Sequence, residues 1–369
     1  MSSSPTSALS RRPLMEVFAQ VPDPRDPRGV RHPLGTVLML AQTAVLAGAR
    51  TLLAIAEWTQ DADRDMLSSI GISPDQLLPS ESTMRRTLAL LDANDLDARL
   101  AEWMATRVGH VAGRRVIAVD GKTMRGARTT AGAPHLVAAF DQTAGAILGQ
   151  LAVPSKSNEI PALRDLLNSM DITDAVVSAD AMHCQRETAS HITSRGAHYV
   201  LTVKANQPTL RAACKALPWH EVPAVTTTDT SHGRRVRRTI KAVQAPDWID
   251  FPCAAQIVQL RRTRTIKGRK TIEMVYAICS LDMIAAPAAT VATWIQGHWG
   301  IENALHWVRD VVFDEDRHQL RTGNGPQVMA TLRNTTISLL RLAGHTKIAT
   351  ALRHHSRSTS RPIELLLTA

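Results

Sequence analysis

The rhythm of apolar positions changes near residue 114. Before it, apolar residues recur at helical spacing. Leu38, Leu40, Ala41, Val45 and Leu46 form one stripe, Leu52, Leu53, Ile55, Ala56 and Trp58 a second, and Leu88, Leu91, Leu96 and Leu100 a third. They predict an N-terminal helical domain over residues 34–110, a possible DNA-binding unit. Within it, Pro79–Arg86 opens a helix with Ser80 or Ser82 as N-cap. Its first turns carry Thr83, Arg85 and Arg86, as a recognition helix would; any solvated helix start has the same composition. Residues 1–33 are rich in Pro and Arg, with Pro22, Pro24 and Pro27 breaking any helix, and predict an extended arm.

After residue 114 short apolar runs replace the stripes. Arg115–Asp120, His135–Phe140 and Ala146–Val153 read as three strands joined by short turns. A helix follows, opened by Ser157, Asn158, Glu159 and Pro161 and buried through Leu163, Leu166, Leu167 and Met170. Then come a strand (Ala175–Asp180), a helix from about Gln185 to Ser194 that ends at Gly196, and a strand (His198–Val203). The order βββ-α-β-α-β predicts an α/β fold, a mixed sheet flanked by helices. Residues 205–280 interrupt it with alternating segments, Arg234–Val243, Ala255–Thr265 and Thr271–Ser280, which read as antiparallel hairpins. Residues 287–320 return to helix, and residues 326–369 read as an amphipathic C-terminal helical tail. The catalytic candidate is therefore a domain over 111–325 with a β-rich insertion at about 205–280.

Charge singles out that insertion. The net charge is +10, and eleven Lys/Arg against Asp247 and Asp250 place +9 of it between His232 and Lys270. Arg234, Arg235, Arg237, Arg238, Arg261, Arg262 and Arg264 are the main contributors. So local an excess suits a phosphate-gripping surface, although Lys and Arg also protect bare sheet edges. The cysteines, Cys184, Cys214, Cys253 and Cys279, show no CxxC spacing, which excludes a zinc ribbon or a dithiol redox motif and fits a reducing compartment. The polar start, Met1–Ser10, lacks the apolar block of a signal peptide. The longest apolar stretch, Leu34–Ala49, is shorter than the ~20 residues a membrane span needs. A soluble cytoplasmic protein without membrane attachment is expected.

Two aspartates close apolar strands: Asp120 after Val-Ile-Ala-Val and Asp180 after Val-Val-Ser-Ala. A carboxylate there is costly unless paired or metal-bound. Each could simply start a turn; together, on neighbouring strands, they would offer hard oxygen ligands for Mg²⁺ or Mn²⁺. Glu302 is the candidate third acid, on a helix face that at α-helical spacing also carries His298, His306 and Arg309; Asp310, Asp314, Glu315 and Asp316, further along, are competitors or caps of the next element. His298, Glu302 and His306 superficially resemble a helical zinc motif, but the H-E-x-x-H spacing is absent. Trp299 and Trp307 are candidates to stack an extruded base, or core residues.

Several runs together resemble insertion-sequence DDE transposases of the ISAs-type, H-repeat-associated group. They are Asp26–Pro33 (DPRGVRHP), Ile117–Gly126 (IAVDGKTMRG), Lys156–Pro161 (KSNEIP), Ser178–His183 (SADAMH), Leu201–Pro208 (LTVKANQP), His298–Asn303 (HWGIEN) with His306-Trp307, and Met329–Asn334 (MATLRN). The resemblance covers most of the chain, in order, and implies an RNase H-like core. Its three acids fall on Asp120, Asp180 and Glu302, separated by 60 and 122 positions, with the basic insertion inside the second interval. A broader group carries Tyr-x2-Arg-x3-Glu-x6-Lys around the glutamate. This chain departs from it, with Ile295, His298 and Arg309 at the Tyr, Arg and Lys places.

The implied chemistry is DNA cleavage at element ends followed by strand transfer. Two Mg²⁺ or Mn²⁺ ions ~3.5–4 Å apart would be held by the three acids, and no covalent protein–DNA intermediate is needed. The implied partners are double-stranded DNA (terminal inverted repeats and target) and a second copy of the chain when assembled on DNA. His298, Arg309, Lys122, Lys204 and Asn206 are further candidates for contact with the DNA backbone, or ordinary polar residues. A silenced transposase that only binds DNA and an RNase H-like nuclease that cuts without joining are the rival readings.

Overall fold

The computed structural model describes residues 12–109, 113–154, 157–231 and 233–368. Met1–Arg11 of the expected arm, His232 and Lys156 of the KSNEIP run lie outside the described residues. The rest of the arm departs from expectation at its start. Leu14–Ala19 is a helix (α1), because Leu14, Val17 and Phe18 fall on one side and are buried. Only the Pro-rich run after it lacks α-helix, apart from a 3₁₀ turn at Pro27–Gly29 capped by Asp26.

α1 packs on α2 (Leu34–Leu46), whose thirteen residues are all buried, the pattern of a helix inside a core. Around it stand α3 (Leu52–Asp61), α4 (Arg64–Ser68), α5 (Glu81–Leu90) and α6 (Ala93–Val108). Of the two N-cap candidates for α5, Ser80 accepts the Thr83 N–H. Arg85 and Arg86 are exposed, while Met84, Thr87 and Leu88 face inward.

The catalytic candidate folds as expected up to β5. β1 (Val116–Thr123), β2 (His135–Asp141) and β3 (Ile147–Ala152) form the antiparallel meander. α7 (Glu159–Asn168) leads to β4 (Val176–Ala179), parallel to β1, and α8 (Arg186–Ser194) to β5 (His198–Val203), parallel to β4. The order β3-β2-β1-β4-β5 is the RNase H-like arrangement.

The insertion does not stand apart. After α9 (Pro208–Ala216) come β6 (Val225–Ser231), β7 (Arg234–Gln244), β8 (Gln256–Ile266) and β9 (Arg269–Cys279). β9 pairs antiparallel with β5, and the four strands extend one nine-stranded sheet in the order β9-β8-β7-β6. The otherwise bare edge of β5 is thereby covered.

α10 (Ala288–Ile301) then crosses one face of the sheet, over β1, β4 and β5. The expected tail proves central. α11 (Gly325–Leu342) has fifteen of its eighteen residues buried and lies among α2, α5, α6 and β3, followed by α12 (Ile348–His355) and α13 (Ser360–Thr368). Its amphipathic pattern misleads because the polar face is also buried. The Gln42 amide donates to Leu332 O and Thr336 Oγ1, Ser338 Oγ accepts the Ile147 N–H, and Arg333 and Asn334 have buried partners.

Candidate active site

Parallel pairing places Val119 opposite Ala179, so Asp120 and Asp180 occupy the next positions on adjacent strands, where β4 ends. Strands so paired run about 4.8 Å apart, and alternation points both side chains to the face of Ala118 and Ser178. That is the face α10 covers: Ser178 Oγ and His298 Nδ1 lie 3.2 Å apart. The crevice beyond the carboxyl ends of parallel strands is the usual ligand site of such sheets.

Glu302 arrives at the end of α10, where the winding changes. Residues Glu302–His306 and Val308–Val312 form π-helical turns. The Trp307 N–H bonds to Glu302 O, and the Phe313 N–H to Val308 O at 3.1 Å, both five residues apart. Such turns are frequent at functional sites. Ligand-type atoms of Asp120, Glu302 and His306 lie within 4.8 Å of one another, and His306 Nε2 is 3.4 Å from Asp120 Oδ2. His306 is buried, yet neither ring nitrogen has a hydrogen-bond partner. Asp180, one strand over, has Lys204 Nζ 3.5 Å from its Oδ1. Burial holds His298 below the usual imidazole range, although Asp120 and Asp180 pull the other way. Two converging carboxylates, a third on the next strand and an orphaned imidazole fit a divalent cation.

A cleft of about 320 Å³ opens beside Asp180, between Lys204, His298, Trp299, Arg262 and Glu273. Arg262 leaves the sheet to lie over the Trp299 ring, 4.7 Å from its centroid, and bonds Glu273 Oε2 at 2.6 Å. Pairing of Arg238 with Arg262 and of Val236 with Arg264, next to the inward Ile240–Leu260 pair, puts Arg238, Arg262 and Arg264 on the face of Asp120 and Asp180. By the same alternation Arg234 shares that face, while Arg235, Arg237 and Arg261 take the other.

Residues 112–339 match the family described as Transposase DDE domain, and residues 15–104 match its companion, described as DDE_Tnp_1-associated. The chain belongs to the DDE transposase family. It is 32% identical to "Putative transposase YncI" of Escherichia coli O157:H7, over 90% of this chain and 88% of that one. It is also 32% identical to "H repeat-associated putative transposase YhhI" of Escherichia coli strain K12, over 90% and 91%. Among solved structures, a piggyBac transposase synaptic complex with hairpin DNA aligns with 96% of this chain and 78% of its own, at a TM-score of 0.44 and 10% identity. The strand order, rather than that distant likeness, identifies the fold. No helix among the described residues is long and apolar enough to cross a membrane.

Three of the expected DNA contacts in this transposase-family chain are committed elsewhere. The Lys122 ammonium is buried between Asp310 and Asp316. The Asn206 amide donates to Ala181 O at 2.6 Å and so fixes the turn after Asp180. Arg309 is wholly buried, with Nε and Nη2 on Glu315 and Nη1 on Gln150 Oε1. In a regular α-helix it would return to the Glu302 face; the wider π turns rotate it into the core. His298 is likewise buried, facing Ser178 rather than solvent. Lys204, Arg234, Arg235, Arg237, Arg261 and Arg264 are exposed, and Trp307 stands in solvent near the site.

A second cluster, unforeseen from the sequence, lies on the opposite face of β1. Glu159, in the first turn of α7, meets His135 Nε2 at 2.6 Å and His183 Nε2 at 3.5 Å. Burial would raise its carboxyl, but the two imidazoles bring it down to about 2. Gly121 leaves room for it: a Cβ there would sit 2.4 Å from the Glu159 carboxylate. The available signal was the pairing of a glycine after Asp120 with the acid of KSNEIP. For His306 it was the i+4 spacing from Glu302.

Proposed function

We propose that this chain cuts DNA at the ends of an insertion sequence and joins the freed 3′-hydroxyl to target DNA. The observation that carries the reading is the seating of Asp120, inside β1, beside Asp180, just past the end of β4, with Glu302 brought next to Asp120 at the end of α10. Asp120, Asp180 and Glu302 would hold two Mg²⁺ or Mn²⁺ ions, which when bound activate the attacking hydroxyl and stabilise the leaving oxygen.

The remaining residues orient and bind. Ser178 and His298 tie α10 to β4 and so set the height of Glu302 above the strands. Lys204 offsets the Asp180 charge and stands exposed for a phosphate oxygen. Arg238, Arg262 and Arg264 extend the positive surface from the cleft outward along the same sheet face, a track for the DNA backbone. The protein would act in the cytoplasm, as a homodimer when two ends are held together.

The test uses the full chain, a linear fragment carrying the DNA that borders its own reading frame, and a supercoiled plasmid, with Mg²⁺ or Mn²⁺. Cleavage at the element end and covalent joining of that end to plasmid are expected. Asp120→Asn should abolish both and keep DNA binding and the folded melting profile. Hydrolysis without joined product would make the chain a nuclease, and binding without either would make it a DNA-binding protein; both outcomes overturn the proposal.

A further inference from the structure

We propose that His306 is itself a metal ligand, so that the ion nearest Glu302 is held by two carboxylates and an imidazole. The inference rests on the reading of Asp120 and Glu302 as a cation site and goes beyond the three acids.

The geometry carries it. His306 is only 3% exposed. A buried imidazole without hydrogen bonds is costly, because its desolvated nitrogens recover nothing. Both nitrogens of His306 are in that condition. Nε2 nonetheless stands 3.4 Å from Asp120 Oδ2 without bonding it, and both atoms converge with a Glu302 oxygen inside a 4.8 Å group. Donors that approach one point without bonding one another are arranged for a cation between them. The backbone supports the same conclusion: Glu302 and His306 begin and end one π-helical turn, which directs both side chains at Asp120.

The donor set has a consequence for metal choice. Mg²⁺ prefers an all-oxygen shell, whereas imidazole suits Mn²⁺ and the later divalent metals better. The pocket nearest Glu302 should therefore take Mn²⁺ in preference to Mg²⁺ by more than an all-carboxylate pocket would. Asp180 lies outside the imidazole's group and leaves the neighbouring position all-oxygen.

The experiment measures Mn²⁺ binding to the full chain without DNA, by electron paramagnetic resonance, with Mg²⁺ as competitor. The wild-type spectrum should show nitrogen hyperfine coupling from one imidazole. His306→Gln should remove that coupling and weaken Mn²⁺ binding at least about tenfold. His306→Asp restores an oxygen donor: binding should recover without the nitrogen signal, and Mg²⁺ should compete better than in wild type. Thermal melts confirm that each variant folds, and His306→Asp serves if His306→Gln does not. Nitrogen coupling that survives in a folded His306 variant overturns the proposal, as does unchanged affinity and selectivity in both variants. Where the His306 variants fail in either of these ways but Asp120→Asn and Glu302→Gln abolish binding, the carboxylate reading stands while the histidine role falls. If they leave binding untouched, or the wild-type chain binds no Mn²⁺, both fall together.

Discussion

Replacing Glu315 by Gln should cost this chain a large part of its stability and leave its affinity for DNA, per folded molecule, unchanged. Glu315 lies between two guanidiniums in the core. Arg309 reaches it with Nε at 3.0 Å and Nη2 at 2.7 Å, and Arg333 Nη1 at 2.8 Å. All three residues are at most 3% exposed. Gln150 Oε1 takes the remaining Arg309 Nη1–H at 3.0 Å and an Asn334 N–H at 2.8 Å, so the cluster joins β3, the π-helical segment and α11. Removing one partner of a buried ion pair leaves an uncompensated charge and costs ~3–5 kcal/mol; a folded domain commonly has ~5–15 in total. The acid side of the pH profile gives a second handle. Burial would raise the Glu315 carboxyl, but Arg309 and Arg333 hold it down to about 2. A depressed carboxylate stabilises the fold above its unfolded value near 4.5, and the contribution fades as pH falls from there toward 2. The displacement corresponds to about 3 kcal/mol. Urea unfolding at pH 7 and at pH 3 measures both effects: the gap between wild type and Glu315→Gln should be widest at pH 7 and narrower at pH 3. A loss under about 1 kcal/mol at pH 7 would refute the buried cluster. A folded Arg309→Met variant with wild-type stability but weakened DNA binding would return Arg309 to the DNA contacts from which its burial removes it.

Gly121→Ala should destabilise the chain by ~1–3 kcal/mol in chemical unfolding, since the new methyl group meets the Glu159 carboxylate at 2.4 Å in a packed sheet; a neutral result would mean that α7 moves freely. Replacing Arg238, Arg262 and Arg264 with Gln should flatten the dependence of DNA affinity on salt, by about one unit of slope for each phosphate no longer neutralised. An unchanged slope would take that row off the DNA path. Burial raises the Asp97 carboxyl to about 6, so the folded state takes up a proton that the unfolded state releases until about pH 4. Stability contributed by Asp97 should therefore rise as pH drops from 7 toward 4, by up to about 3 kcal/mol, and Asp97→Asn should remove that rise from the pH series.

The order of elements through β5 was legible because strand and helix periods alternate cleanly between Val116 and Val203. Asp120 and Asp180 were proposed as acids closing apolar runs and Glu302 from its helix face; Asp120 in fact lies inside β1, which runs on to Thr123, while the structure brings it together with Glu302 and puts Asp180 just past the end of the adjoining strand. What could not be read has a common cause, polar groups that leave solvent because another part of the chain satisfies them. Arg333, Asn334 and Ser338 make α11 look amphipathic, yet their partners are Glu315, Gln150 and the backbone of Ile147, far away in sequence. Lys122 reads as surface charge until Asp310 and Asp316 close on it. Helix α1 was hidden differently: its apolar residues lie beside a Pro-rich run whose extended character dominated the reading.

The winding of residues 302–312 links these observations to the chemistry. At α-helical pitch His298, Glu302, His306 and Arg309 would share one face, and the positive charge of Arg309 would sit over the acids. Hydrogen bonds closed at five residues underwind the segment, so Glu302 and His306 keep the face toward Asp120 while Arg309 turns to Glu315. The same short stretch thus carries a candidate site residue at one end and a buried anchor at the other. A π turn is less stable than the α-helix it interrupts, and it persists here because straightening it would pull Arg309 from Glu315 and Gln150. The core cluster therefore does more than stabilise: through Arg309 it sets the rotation of Glu302 and His306 above Asp120, and through Arg333 it ties that rotation to α11 and the helices around it. Loss of Glu315 should for this reason loosen metal binding at Asp120 even in the molecules that remain folded.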